Sequence, residues 1–196
     1  MINIIDDAKS SGNTVGGVFE IIASGIPVGL GSHVQWNQRL SGQIAQAIMS
    51  INAVKGIEIG DGFALAEMKG SEAHDIIKKS CKDNDLPWCR HTNHAGGIEG
   101  GITNGEPIIV RAAMKPIATL GKPLSSIDLR TGKLSAAHYE RSDICVVPAA
   151  GVIGEAMLAI ILADAVLKKF GGDHLEETLA NYHSYTNSIR SRKHYA

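Results

Sequence analysis

The stretch Val152 to Phe170, VIGEAMLAIILADAVLKKF, decides how this chain is layered. Met157, Leu158, Ile160, Ile161, Leu162, Val166 and Leu167 fall on every side of a helix instead of along one stripe. A helix that is apolar nearly all round is buried on most sides, so this one is expected between layers of structure. Gly171-Gly172 stops it where a helix C-cap belongs. Its most apolar run, Ala156 to Leu167, is broken by Asp164 and is shorter than the ~20 residues a membrane span needs, so no membrane partner is expected.

Outward from that helix, the pattern is mixed. Val15 to Ala23 reads as a strand entered through Gly16-Gly17, and Ile26 to Gly31 (IPVGLG) is turn chemistry. From Trp36 the period changes: Leu40, Ile44, Ala47, Ile48 and Ile51 mark an amphipathic helix. Ile57 to Ile59 is a short strand, and Gly60-Asp61-Gly62 turns it into Phe63 to Met68, which predicts a β-hairpin. Ser71 opens a short helix through Lys79, with Asp75 near its start. Residues 80–95 lack periodicity and read as loop. Pro107 to Met114, Ser125 to Leu129 and Ile144 to Val147 read as strands. Regular βαβ alternation is missing, so the fold class is α+β, with antiparallel sheet on long helices. Residues 1–183 are expected as one core, and 184–196 (SYTNSIRSRKHYA) as a polar, basic, solvated tail.

Composition excludes several functions. Lys and Arg total 19 against 20 Asp and Glu, a balance that argues against nucleic-acid binding or a polybasic membrane patch. Cys81, Cys89 and Cys145 do not make a disulfide framework, and MINIIDDAKSSGN is no secretory signal, so a cytoplasmic location is expected. Glycine is frequent, 22 of 196, while aromatics are 5%, which suits backbone loops closing on a small ligand better than base stacking.

Three stretches carry candidate chemistry. Asn93 to Gly105 holds five of the glycines, which let backbone N–H groups approach a ligand or simply form turns. Lys115-Pro116-Ile117-Ala118-Thr119 follows a strand directly, and a Lys and a hydroxyl there suit a phosphate or an electron-rich ring. Arg141 and Asp143 point to one face of an extended segment, where they hold an anion and accept a proton or form a surface ion pair. Cys89-Arg90-His91-Thr92-Asn93-His94 has no second ligand cluster, so no metal site is expected. Glu155 and Asp164 are expected to pair or cap rather than carry protons.

Taken together, GIPVGLGSHVQWNQRL, QAIMSINAVKGIEIGDGF, TNHAGGIEGGITNGEPIIVRAAMKPIATL, ERSD and VPAAGVIGEAM resemble chorismate synthase, in that family's order and over about Thr14 to Asp173. The resemblance implies half of a β-α-β sandwich from a homotetrameric lyase. Its reaction is a 1,4-elimination taking 5-enolpyruvylshikimate-3-phosphate to chorismate and phosphate, with reduced FMN as cofactor. It implies flavin contacts at Asn52, Ala53, Gly100, Lys115, Pro116, Ile117, Ala118, Thr119 and Arg141, and a proton-accepting role near flavin N5 for Asp143. Two small departures are Asn13-Thr14, where the family usually reads Asp-Ser, and Gly121, where an aromatic is common. The family's S-H-G motif, arginine-rich substrate stretch and R-x-x-E-R-V-A-A-G segment do not occur in these residues. Two expectations follow: a chorismate synthase part completed by an N-terminal partner half, or a flavin-binding or oligomerisation module without turnover.

Overall fold

The computed structural model describes residues 1–79 and 86–191. The chain runs α1 (Ile2–Ser11), β1 (Gly17–Ala23), a 3₁₀ turn at Trp36–Gln38, α2 (Leu40–Met49), β2 (Val54–Ile59), a second 3₁₀ segment at Gly62–Glu67, then α3 (Gly70–Ala73). It continues through β3 (Ile77–Lys79), β4 (Trp88–Arg90), β5 (Ile98–Glu99), β6 (Ile102–Thr103) and β7 (Ile108–Met114). The last elements are β8 (Ser125–Ile127), β9 (Leu134–Ala136), α4 (Val147–Phe170) and α5 (Leu175–Ser191).

Strict alternation makes β7 the centre of the molecule. Ile108, Val110, Ala112 and Met114 are buried, and the residues between them are less so, the period of two that puts successive side chains on opposite faces. β7 is flanked antiparallel by β1 and β2 in the order β1-β7-β2. Gly17 stands opposite Met114 and Ala23 opposite Ile108, while β2 carries a bulge between Val54 and Gly56. The apolar stripe of α2, Leu40, Ile44 and Ile48, packs with Phe19, Ile21 and the buried residues of β7 into one core. Burying each such side chain contributes about 1.5–3 kcal/mol. α4 lies on the same side of the sheet, close over β1, because Gly154 has no side chain. A Cβ there would stand 2.7 Å from Ile21 Cδ1 and 2.9 Å from Phe19 Cε2.

The mixed α+β class with antiparallel sheet is what the structure shows, but several local expectations are corrected. No hairpin follows Gly60: the Glu58 carboxylate accepts the Phe63 N–H at 3.0 Å, and Ala64 donates to the Asp61 carbonyl at 2.9 Å, which curls the segment into 3₁₀ turns. The helix expected over Ser71–Lys79 ends at Ala73, and Ile77–Lys79 pairs with Trp88–Arg90, inside the stretch read as loop. Residues 80–85 of that stretch lie outside the described residues. Ile144–Val147 is not a strand. The Ile144 carbonyl accepts the Val15 N–H at 2.9 Å without a strand ladder forming, and Val147 already begins α4 with a proline in its first turn.

α4 is buried along one stripe only, at Ala150, Gly154, Leu158, Leu162, Ala165 and Phe170. Val152, Ile153, Ile160 and Leu167 on the opposite face are at least half exposed in this chain. By length and a mean hydropathy of 2.0 it resembles a membrane span, yet that stripe is packed on β1 and α2 as a core helix. The segment read as a tail from Ser184 is helical to Ser191 and anchored. Tyr182 and Tyr185 meet the Phe170 ring edge-on at 5.3 and 5.6 Å, and the Tyr185 hydroxyl donates to the Val28 carbonyl at 3.1 Å. Cys89 is disulfide-bonded, while Cys145 is free.

Candidate functional site

Where β7 leaves the sheet, the chain enters Lys115–Thr119. Its first backbone bond there runs sideways: the Lys115 N–H donates to the Ala53 carbonyl at 2.9 Å. Ala53 has φ 69°, the single non-glycine residue with a left-handed backbone among those described. Such a conformation costs about 1–2 kcal/mol and persists only where neighbours hold it. Here the Lys115 bond on its carbonyl and burial of the adjacent Val54 do so. The turn that carries Asn52 is thereby joined to the loop that carries Lys115.

The second junction is between side chains. The Thr119 hydroxyl donates to Ser142 Oγ at 2.8 Å, so Lys115–Thr119 and Arg141–Asp143 stand side by side although β8 and β9 intervene in sequence. Asn52, Lys115, Pro116, Ala118, Arg141 and Asp143 are exposed or partly so, and Ala53, Ile117 and Thr119 are half-buried. Among the described residues neither Lys115 nor Arg141 makes an ion pair with a carboxylate. Two uncommitted cations and one carboxylate on linked loops form a wall suited to an anionic ligand that also exchanges a proton.

Gly100 lies apart from those two loops along the sheet. The glycine loop packs against the opposite end of the sheet: Gly96 abuts the Gly60 backbone, and its carbonyl accepts the N–H of Ile109, near the start of β7, at 3.3 Å. β7 itself separates the two ends by roughly 20 Å at ~3.4 Å per residue. Gly100 has φ 61° and open space where a Cβ would project, beside Arg39, Ser41 and Gly101 in a shallow cleft of about 400 Å³.

At that far end sits a polar hub that the sequence reading did not single out. The buried Asp75 carboxylate accepts the Thr92 hydroxyl at 2.6 Å and the backbone N–H groups of His94 and Ala95 at 2.8 and 2.9 Å. Burial pushes this carboxyl upward. The hydrogen bonds from Thr92, Ala95 and His94, with the charge of the His94 ring, outweigh it and hold the group below its ordinary value. His94 Nδ1 meets Asp61 Oδ2 at 2.5 Å, and Arg90 meets Glu99 at 2.5 Å. These contacts order the loop entering β5. The Cys89–His94 stretch is thus committed to a disulfide and hydrogen bonds, and no group of three metal-ligating residues occurs among the described residues.

The chain matches known proteins over most of its length. Residues 1–167 match the family model described as chorismate synthase. A chorismate synthase from Solibacter usitatus is 54% identical over 191 residues, which are 97% of this chain and 49% of that protein. One from Aquifex aeolicus is 54% identical over 187 residues, 95% of this chain and 46% of that protein. The solved structure titled "Crystal Structure of Chorismate Synthase" superposes with a TM-score of 0.80 at 47% identity, covering 97% of this chain and 48% of the other. The chain spans about half the length of the relatives it matches.

Proposed function

The chain belongs to the chorismate synthase family, and on that footing we propose that it forms the flavin wall of such an enzyme. The reaction is the conversion of 5-enolpyruvylshikimate-3-phosphate to chorismate and phosphate. The observation that carries this reading is the pair of exposed cations, Lys115 and Arg141, without carboxylate partners among the described residues, on loops clamped together through Thr119 and Ser142. These residues fit reduced FMN, whose phosphate and anionic ring both call for positive charge. Reduced FMN, when bound, supplies electron density to the substrate as phosphate leaves. Lys115 and Arg141 hold negative charge, the Asn52–Ala53 turn and Pro116–Ala118 fix the shape of the wall, and the Asp143 carboxylate accepts the proton. The N-terminal half of the family pattern is the partner that closes the site, the assembly is a homotetramer, and the location is cytoplasmic.

The absence of the S-H-G motif from these residues favours a second statement about the chain alone. On that reading these residues bind flavin, and the general acids for turnover come from the partner half that carries the S-H-G motif. A titration of the chain with oxidised FMN, followed by flavin fluorescence, tests the wall. Lys115→Ala and Arg141→Ala each remove a charge-assisted contact made on an exposed surface, so the loss lies at the low end of about 1.5–3 kcal/mol and affinity falls roughly tenfold. Unchanged affinity in both variants refutes the wall. Phosphate release from substrate and chemically reduced FMN by this chain alone refutes the need for a partner.

A further inference from the structure

Building on the flavin-wall reading, we propose that Thr14 is a positioning residue for the bound flavin, acting through the backbone of the Lys115–Thr119 loop. Thr14 is not among the assigned flavin contacts. Its side chain is buried, at 6% exposure, and its hydroxyl donates to the Ile117 carbonyl at 2.6 Å. That carbonyl lies midway between the loop's two other anchors, the Lys115 N–H on the Ala53 carbonyl and the Thr119 hydroxyl on Ser142, next to Pro116, which has no N–H to give.

Thr14 is the middle of a brace, Gly12 to Gly16, that meets the site loops or the residues next to them at several points. The Gly12 carbonyl accepts the Lys122 N–H at 3.0 Å, and the Val15 N–H donates to the Ile144 carbonyl at 2.9 Å, just beyond Asp143. The Asn13 side chain accepts the Thr14 N–H at 2.9 Å, which fixes the Thr14 backbone. Gly16 passes so near the Met114–Pro116 peptides that a Cβ would lie 2.2 Å from the Met114 oxygen. One side of the segment therefore grips the loop of Lys115 and the other grips the loop of Arg141 and Asp143. Neither grip is part of the β1-β7-β2 ladder, so the brace sets the spacing of the charged groups without being needed to form the sheet. A cation held on a fixed backbone loses less freedom when it meets an anion, and that difference is read as affinity.

The test is Thr14→Val, which keeps the shape and removes the donor, beside Thr14→Ser, which keeps the donor. Backbone amide exchange and FMN titration are measured on the whole chain, with Lys115→Ala as the control for the flavin reading. Expected for Thr14→Val is about tenfold faster exchange over 117–122 and 141–146 with unchanged protection in β1 and β7, and about tenfold weaker FMN binding, both restored in Thr14→Ser. Unchanged exchange in Thr14→Val overturns the brace. Faster exchange with unaltered FMN affinity, while Lys115→Ala weakens binding, overturns the positioning role and leaves the flavin wall standing. Faster exchange with FMN affinity indifferent to Lys115→Ala overturns the flavin reading and with it the ligand assigned to the brace, while the brace itself stands.

Discussion

Asp75→Asn separates a structural carboxylate from an ornamental one. Oδ1 accepts two hydrogen bonds, from the Thr92 hydroxyl and the His94 N–H, and Oδ2 accepts one, from the Ala95 N–H. An amide in the kinder orientation keeps the first two, now to a neutral acceptor, and turns its own N–H₂ against the Ala95 N–H. Losing one bond to a charged group costs about 1.5–3 kcal/mol, and weakening the other two costs about 1 kcal/mol each. The opposite orientation loses two bonds and is worse. The sum is about 4 kcal/mol, or about 8–16 °C in Tm for a chain of this size. The pH dependence has a definite sign. The folded carboxyl titrates below its ordinary value of 3.8, so its stabilisation is complete above that pH and fades as pH falls through the lower folded value. Thermal melts of the two proteins at neutral pH should differ by that margin, and the gap should narrow as pH falls below 3.8. Equal melting temperatures at neutral pH, or a gap that stays constant on acidification, refute the reasoning.

Two other outcomes follow from close approaches and exposed surface. Gly16→Ala places a methyl 2.2 Å from the Met114 oxygen and 2.9 Å from the next peptide, so the brace or the end of β7 must shift; a loss of about 2–3 kcal/mol in denaturant melts is expected. On α4, Gly154→Ala intrudes on Ile21 and Phe19 and should lower Tm, whereas Ile160→Lys, on the exposed face, should leave Tm within about 2 °C yet reduce self-association in sedimentation velocity. Equal effects of the two changes on Tm would contradict a helix with one buried and one open face.

What could be read in the sequence was whatever repeats at short range. The three- and four-residue spacing of Leu40, Ile44 and Ile48 and the alternation of Ile108, Val110, Ala112 and Met114 are local, and both elements are where that pattern places them. The misreadings fall where a distant polar group decides the local shape. Asp75 leaves the helical pattern because its carboxylate is engaged with residues 92–95, and Glu58 captures the Phe63 N–H that a hairpin would have used. α5 was missed because its anchoring rests on a few aromatic contacts to Phe170 and not on a periodic apolar stripe. The same division runs through the site. Lys115, Arg141 and Asp143 are visible as residue types, but the bond that steadies their loops joins positions 103 apart. Gly100, grouped with them by family pattern, lies beyond the other end of β7, and nothing in residue spacing tells one end of a sheet from the other.

Exposure of the wall also fixes how strongly it acts in this chain. A cation and an anion about 4 Å apart gain about 1 kcal/mol when both are in water, and about 4 kcal/mol at the lower effective dielectric of a covered protein surface. Lys115 and Arg141 stand in the first condition here, since both side chains are exposed. On the flavin reading, covering the wall multiplies the value of charges that are already in place and costs no further ordering of the loops, because the Ala53, Thr119 and Thr14 contacts have fixed them beforehand. The exposed apolar face of α4 gives assembly its own driving force from buried area. On the flavin reading, an assembly that covered the wall would couple to flavin affinity through solvent exclusion, and the coupling would be reciprocal: whatever tightened FMN on assembly would equally strengthen assembly with FMN bound.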